Sequence, residues 1–201
     1  MSTTVLPNSA FLHIPKTGGT WIFGSLWKMD LVDKSFSHIT APELRLLTDK
    51  PIFTFVRNPL TWYQSRWAAH KPRTKSRNSL VDFKTKGEKN NFNVWLRRVT
   101  SQSPNHVTRM YKNYLGGGFN KGVVKFIGKT ESLEKDFRRF LFKLGEKYNP
   151  EMVLPAAVNR GIVLDRRYTE KMLLRVIDLE IETLEYFGYP KDIKYYENLL
   201  K

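Results

Sequence analysis

Residues 11–20, Phe-Leu-His-Ile-Pro-Lys-Thr-Gly-Gly-Thr, combine the residue types that bind an anion at a turn of the chain. A short apolar run ends at Pro15, and a lysine, two threonines and two glycines follow before an amphipathic stretch begins at Trp21. This order predicts a buried strand, a tight turn and the first turn of a helix. Backbone N–H groups and the helix dipole favour an anion at such a turn, and Lys16 adds a positive charge. The sequence therefore predicts a phosphate-binding loop.

The order of residues in this loop differs from that of the common ATP-binding loop. That motif is Gly-x-x-x-x-Gly-Lys-Ser/Thr, in which the lysine follows the glycines and a hydroxyl binds magnesium. In this chain Lys16 precedes Gly18 and Gly19. The order argues against an ATP-dependent P-loop phosphotransferase, which stays open as an alternative enzyme class and would require ATP and magnesium.

A second motif, Phe53-Thr-Phe-Val-Arg-Asn-Pro-Leu-Thr-Trp-Tyr-Gln-Ser65, places polar residues after another apolar run. Arg57 ends a predicted strand, where ligands bind in open α/β sheets. Ser65 lies eight residues later, in the predicted helix that follows. A guanidinium offers a planar fork for phosphate oxygens, and the serine hydroxyl adds a further donor. This motif predicts a second anion contact.

Together the two motifs resemble those of the sulfotransferases that use 3′-phosphoadenosine 5′-phosphosulfate (PAPS). In the heparan-type carbohydrate branch of that family, His-Ile-Pro-Lys-Thr-Gly-Gly-Thr recurs nearly letter for letter as the 5′-phosphosulfate loop. The Arg-(x)7-Ser spacing is that family's 3′-phosphate site. The resemblance implies transfer of the sulfo group of PAPS to an acceptor, with adenosine 3′,5′-bisphosphate (PAP) as product and no metal.

The resemblance implies a role for each matching residue. Lys16 is the expected catalytic cation, and His38 is the expected base because a histidine stands at a similar point of the heparan 2-O-sulfotransferases. Glu43 is the alternative base, since some relatives use a glutamate. Asn159-Arg160-Gly161 resembles the basic loop that closes on the 3′-phosphate. The expected cofactor-binding residues are Pro15, Lys16, Thr17, Gly18, Gly19, Thr20, Trp21, Arg57, Ser65 and Arg160.

Alternating strands and helices are expected to position these residues. Apolar runs predict strands at 11–14, 34–38, 51–56 and 123–127, and helices starting near Trp21, Thr40, Leu60, Asn91, Thr130 and Thr169. The predicted fold class is α/β, a three-layer, doubly wound parallel sheet with a P-loop-like phosphosulfate loop. The resemblance implies the sulfotransferase or nucleoside-kinase-like version of that fold. His13, inside the first strand, is expected to be a packed and hydrogen-bonded residue rather than a base.

The 201 residues are expected to form a single domain, 1–201, in which the unmatched residues 70–122 form a variable, acceptor-binding segment. The formal net charge is +15, and residues 66–98 hold ten lysines and arginines against two acids, a net of +8. Such a surplus attracts polyanions. The expected acceptor is a carbohydrate or glycoconjugate hydroxyl, acidic glycans included, although an amine stays open. Trp67 and Trp95 are expected either to stack on sugar rings or to belong to the core.

A non-enzymatic polyanion binder, acting on nucleic acid or sulfated glycan through the basic segment, is the second alternative. Nucleic acid is the less favoured partner. The chain has no cysteine, and no apolar run reaches the ~18 residues of a transmembrane helix. Its first residues lack the pattern of a signal peptide. The sequence is therefore expected to be soluble and cytoplasmic, without a membrane partner.

Overall fold

A computed structural model describes residues 3–70, 82, 84–119, 122–155 and 166–200 of the chain. The chain divides into two compact units. The first consists of Met1–Arg57 with Met110–Arg160, and the second of Asn58–Arg109 with Gly161–Lys201. The single domain over 1–201 stays a prediction, and the two units are described in turn.

The first unit contains a five-stranded sheet in the order β3-β1-β2-β4-β5. The strands are β1 (Thr3–Val5), β2 (Ala10–Leu12), β3 (Lys34–Phe36), β4 (Ile52–Val56) and β5 (Val124–Lys129). Strands β2, β4 and β5 are parallel to one another, whereas β1 is antiparallel to both of its neighbours, β2 and β3. The sheet is therefore mixed and mostly parallel, with helices flanking it, and the α/β class is confirmed at this level.

The expectation of a wholly parallel sheet is wrong at β1, which the sequence patterns did not reveal. Thr3–Val5 has only three residues, too few to show a period. A tight connection, in which the Leu6 N–H donates to the Ser9 carbonyl at 2.8 Å, joins β1 to β2. Antiparallel strands can be joined by so short a turn, whereas parallel ones need a long crossover.

Helices α1 (Gly19–Lys28), α2 (Ala41–Leu47) and α7 (Leu133–Lys143) belong to the first unit. The predicted start of α2 is confirmed, because Thr40 and Glu43 form a capping box and Pro42 lies in the first turn. Helix α1 begins two residues before the predicted Trp21, so the second glycine of the loop is already helical. A single buried apolar cluster packs α1 and α7 against the sheet through Phe11, Trp21, Phe53, Phe55, Phe137 and Phe140.

The second unit contains helices α3 (Pro59–His70), α4 (Lys86–Asn90), α5 (Phe92–Gln102), α8 (Glu170–Leu179) and α9 (Ile181–Tyr186). Helix α6 (His106–Tyr114) begins in it. Trp67 and Trp95 are 1% and 0% exposed, which assigns both to the core rather than to a sugar-stacking surface. Among the described residues, no helix has the length and hydropathy needed to cross a membrane.

The long helix predicted from Thr169 is broken into α8 and α9 at Glu180. The buried carboxylate of Glu180 accepts hydrogen bonds from the Tyr63 hydroxyl at 2.7 Å and from the backbone N–H groups of Val107 and Thr108 at 3.1 and 2.8 Å. Burial raises the pKa of Glu180, while these donors act in the opposite direction. An acidic residue within a helical pattern gives no sequence signal of such a network.

Candidate functional site

The predicted phosphate loop follows β2 directly, and its backbone is sharply turned. Lys16 and Gly18 have φ angles of 69° and 91°, both in the left-handed region. The Gly18 carbonyl accepts hydrogen bonds from the N–H groups of Trp21 and Ile22 at 3.0 and 3.1 Å, so Gly18 caps α1. The loop therefore delivers the chain to a helix N-terminus, where backbone N–H groups and the helix dipole favour an anion.

At both glycines of the loop, a larger residue would require a neighbouring side chain to move. A Cβ atom at position 18 would lie 2.7 Å from Leu133 Cδ2, and one at position 19 would lie 2.1 Å from the His13 ring. These separations are far below a van der Waals contact. The two glycines that predicted a turn thus also mark a place where side chains pack tightly behind the loop.

The other loop residues differ in their exposure to solvent. Thr17 and Gly19 are buried, Pro15 and Lys16 are half-buried, and Thr20 is exposed. The Thr17 hydroxyl donates to the Ile14 carbonyl at 2.8 Å, so it stabilises the turn. Trp21 is 2% exposed, and its indole N–H donates to the carbonyls of Leu154 and Pro155 at 3.0 and 3.1 Å. Nucleotide contacts by Thr17 and Trp21 stay predictions.

Arg57 lies one residue beyond β4, which pairs in parallel with β2. Leu12 is aligned with Thr54 in this ladder, so the loop after β2 and Arg57 leave the same edge of the sheet. Arg57 is half-buried. Its backbone N–H donates to the Tyr111 hydroxyl at 2.9 Å, and that hydroxyl donates to the Arg57 carbonyl at 2.8 Å. Tyr111 lies in the segment expected to bind the acceptor, and no sequence signal pointed to it.

His38 lies two residues beyond β3, a strand that runs parallel to β2 with β1 between them. Its ring packs against the ring of His13 with centroids 5.0 Å apart, and it donates a hydrogen bond to the His13 backbone. His38 is exposed, yet partial desolvation of the ring lowers the pKa of His38 below its ordinary value of 6.5, and the hydrogen bond acts in the opposite direction. His13 is 2% exposed, as expected of a packed residue.

Glu43, the alternative base, is an exposed residue whose carboxylate is already engaged. Its Oε2 atom accepts hydrogen bonds from the N–H and the hydroxyl of Thr40, at 2.6 and 2.8 Å. These two bonds, the backbone one first, lower the pKa of Glu43. A carboxylate that caps its own helix and has a lowered pKa is a weak base.

Two predicted site residues remain, Ser65 and Arg160. Ser65 is half-buried on α3, which belongs to the second unit. Arg160, with Asn159 and Gly161, lies outside the described residues. Their assignment to the 3′-phosphate stays a prediction. Within the described ranges, no group of three or more histidines, aspartates and glutamates is placed to hold a metal ion.

Comparison with known proteins identifies no relative of this chain. Neither the protein-family models, nor the curated proteins, nor the solved structures give a match to the chain.

Proposed function

We propose that this protein is a PAPS-dependent sulfotransferase that acts on a hydroxyl of a carbohydrate or glycoconjugate. One observation carries the proposal: the loop containing Lys16, the strand-end Arg57 and His38 all follow strands that run in the same direction, so they lie at one edge of the sheet. Ligands of open α/β sheets bind at the carboxyl ends of their strands. The proposed fold is accordingly the three-layer sulfotransferase type.

The residues at this edge fit a doubly phosphorylated nucleotide. A helix N-terminus with a lysine beside it suits the 5′-phosphosulfate, and an arginine suits the 3′-phosphate. The side chains of Leu133 and His13 pack directly against the turn, which favours one conformation of the loop in the absence of a ligand. Such preorganisation lowers the cost of ordering the site on binding.

The chemistry divides between two of the chain's own groups. When bound, PAPS supplies a sulfo group whose sulfur bonds to the acceptor oxygen while the bond to the 5′-phosphate oxygen breaks and leaves its electron pair there. The ammonium of Lys16 stabilises the charge that develops on that departing oxygen. The acceptor proton moves to His38.

His38 suits the base role better than Glu43. One ring nitrogen of His38 donates to the His13 backbone, which fixes the tautomer and makes the second nitrogen the proton acceptor. The lowered pKa keeps the ring neutral at neutral pH, the state in which it can accept a proton.

Calorimetric titration with PAP tests the proposal, on the wild-type protein, Arg57→Ala and Arg139→Ala. Arg139 is an exposed arginine on α7 that pairs with Asp136 at 2.9 Å, so its variant removes the same charge from the first unit at a residue outside the two anion motifs. We expect wild type and Arg139→Ala to bind alike, and Arg57→Ala to bind about 10- to 100-fold more weakly, the value of a charge-assisted hydrogen bond. Absence of PAP binding by the wild type would overturn the proposal.

A transfer assay then separates the enzyme classes. Radiolabelled sulfo transfer from PAPS to a panel of glycans, small alcohols and amines should identify the acceptor. Phosphoryl transfer from ATP that requires magnesium would instead support the P-loop phosphotransferase. A polyanion binder without activity would bind glycan equally well after Lys16→Ala and would lack a PAP site.

A further inference from the structure

We infer that the hydroxyl of Tyr111 is the positioning group of Arg57, and through Arg57 sets the affinity for the 3′-phosphate of the nucleotide. This inference rests on the proposed function. It assigns a role in nucleotide binding to a residue in the segment 70–122, which the sequence linked to the acceptor.

The geometry is that of one hydroxyl serving both peptide groups of a single residue. The Tyr111 hydroxyl accepts from the Arg57 N–H at 2.9 Å and donates to the Arg57 carbonyl at 2.8 Å. The Tyr111 side chain is fully buried. A buried hydroxyl with both a donor and an acceptor partner has little freedom to rotate, so it holds the peptide groups on either side of the arginine Cα atom.

The position of this contact explains why it is needed. The ladder between β4 and β5 ends at the pair Val56–Lys129, so Arg57 lies just beyond the last strand hydrogen bonds. At the preceding residue, the Thr130 hydroxyl donates to the Val56 carbonyl at 3.0 Å. Side-chain hydroxyls therefore continue the backbone pairing where the sheet stops, and buried backbone groups require such partners.

A positioned backbone matters because the arginine side chain starts from it. The Cα–Cβ direction of Arg57 is set by its φ and ψ angles, and Tyr111 holds both adjoining peptide groups. Losing the hydroxyl would let the strand end move and would misalign the guanidinium with a phosphate. The geometric tolerance of a bidentate arginine–phosphate contact is small.

Tyr111→Phe tests this inference, because it removes only the hydroxyl. Tyr168→Phe is the matched control: Tyr168 is also buried, and its hydroxyl donates to the Leu60 carbonyl at 2.7 Å in the second unit. Calorimetry would compare PAP with adenosine 5′-monophosphate, which lacks the 3′-phosphate. We expect Tyr111→Phe to weaken PAP binding about tenfold and to change binding of the monophosphate less than about twofold. Tyr168→Phe should change neither.

Two further measurements separate positioning from a general loss of stability. In Arg57→Ala, adding Tyr111→Phe should cause no additional loss of PAP affinity, because the group that it positions is already gone. Amide hydrogen exchange at Arg57 should be faster in Tyr111→Phe than in wild type, and unchanged in Tyr168→Phe.

The outcomes distinguish this inference from the proposed function. Unchanged PAP affinity in Tyr111→Phe, or equal weakening for both nucleotides, would overturn the role of Tyr111 and leave the sulfotransferase proposal standing. Failure of wild type to bind PAP would overturn both. Unchanged exchange at Arg57 would overturn the positioning role even if the affinity fell.

Discussion

Lys16 occupies a backbone conformation that lysine rarely adopts, with a φ angle of 69°. A residue other than glycine in this region is strained by about 1–3 kcal/mol, and such strain concentrates where the chain must present a group in one direction. The threonine that follows is buried and bonded to the Ile14 carbonyl, which holds the turn in this conformation. The strained conformation thus lowers stability at Lys16, the one loop residue that carries a charge.

Replacing Lys16 by alanine keeps the strained φ angle and removes the cation. If Lys16 stabilises charge on the departing oxygen, we expect kcat for sulfo transfer to fall about 100- to 1,000-fold. Steady-state kinetics with PAPS measures this. Lys125→Ala, at an exposed position of β5, is the control and should retain full activity. A loss of kcat below threefold in Lys16→Ala would contradict the assignment.

His38 predicts a definite pH dependence. A base must be unprotonated, and desolvation lowers the pKa of His38 below its ordinary value of 6.5. The rate should therefore be constant at neutral pH and fall only as the pH drops through a pKa below 6.5. A pH profile of kcat/KM checks this expectation, and an acid limb above pH 6.5 would oppose it.

Truncation of the same side chain gives an independent test. His38→Ala should lower transfer about 100- to 10,000-fold, the range of general base catalysis, while PAP binds as in wild type. Calorimetry and the transfer assay measure the two quantities separately. Undiminished turnover would assign the base to another residue, with Glu43→Gln as the next variant.

At the scale of elements, the loop between β2 and α1 is connected to His38, the predicted base, through the ring of His13. Gly19 lies against the His13 ring, and that ring packs on His38. We therefore expect a change in the first turn of α1 to affect His38 through the buried side chain of His13.

Gly19→Ala tests this connection. The added methyl group would meet the His13 ring at 2.1 Å, so the ring must move. We expect a loss of about 1–3 kcal/mol in the free energy of unfolding, typical of overpacking, together with a lower kcat. Gly87→Ala, where the nearest atom is 3.7 Å from the new Cβ, should be neutral or stabilising by up to about 1 kcal/mol. Chemical unfolding and transfer assays measure both, and equal behaviour of the two variants would exclude the steric cause.

The elements also show what a sequence can reveal and where it fails. Thr40 as a helix cap, the apolar run of β4 and the apolar face of α5 are local patterns, and each predicted an element that the structure has. Strand β1 and the break at Glu180 depend on partners distant in the chain, so no local pattern predicted them. The same holds within the candidate site: residue types and spacing predicted roles for Lys16 and Arg57, whereas the contact of Tyr111 with Arg57 is visible only in the structure.

At the scale of the whole molecule, the surplus of positive charge is concentrated in the segment 66–98. Both acidic residues of this segment form ion pairs: Asp82 with Arg66 at 3.5 Å and Glu88 with Arg98 at 2.6 Å. These pairs account for the acids and for two of the ten cations of the segment. Its net +8 is therefore carried by the other eight basic residues, several of them outside the described ranges.

Nucleotide binding should stabilise the chain by mass action. PAP at 100 times its dissociation constant should raise the free energy of unfolding by about 2.7 kcal/mol, provided that the unfolded chain does not bind it. Thermal unfolding with and without PAP measures the shift. Arg57→Ala at the same PAP concentration should show a smaller shift, and raised salt should reduce the shift in both proteins. No shift in wild type would count against a nucleotide site.

The placement of β1 has a consequence for the distance between His38, the predicted base, and the loop. Thr4 is aligned with Phe11 on one side and with Ser35 on the other. A slip of one residue in either ladder would move β3 along β2 by about 3.3 Å and reverse the faces of its side chains. The spacing between His38 and Lys16 thus depends on the register of Thr3–Val5, a strand for which the sequence predicted no part in the site.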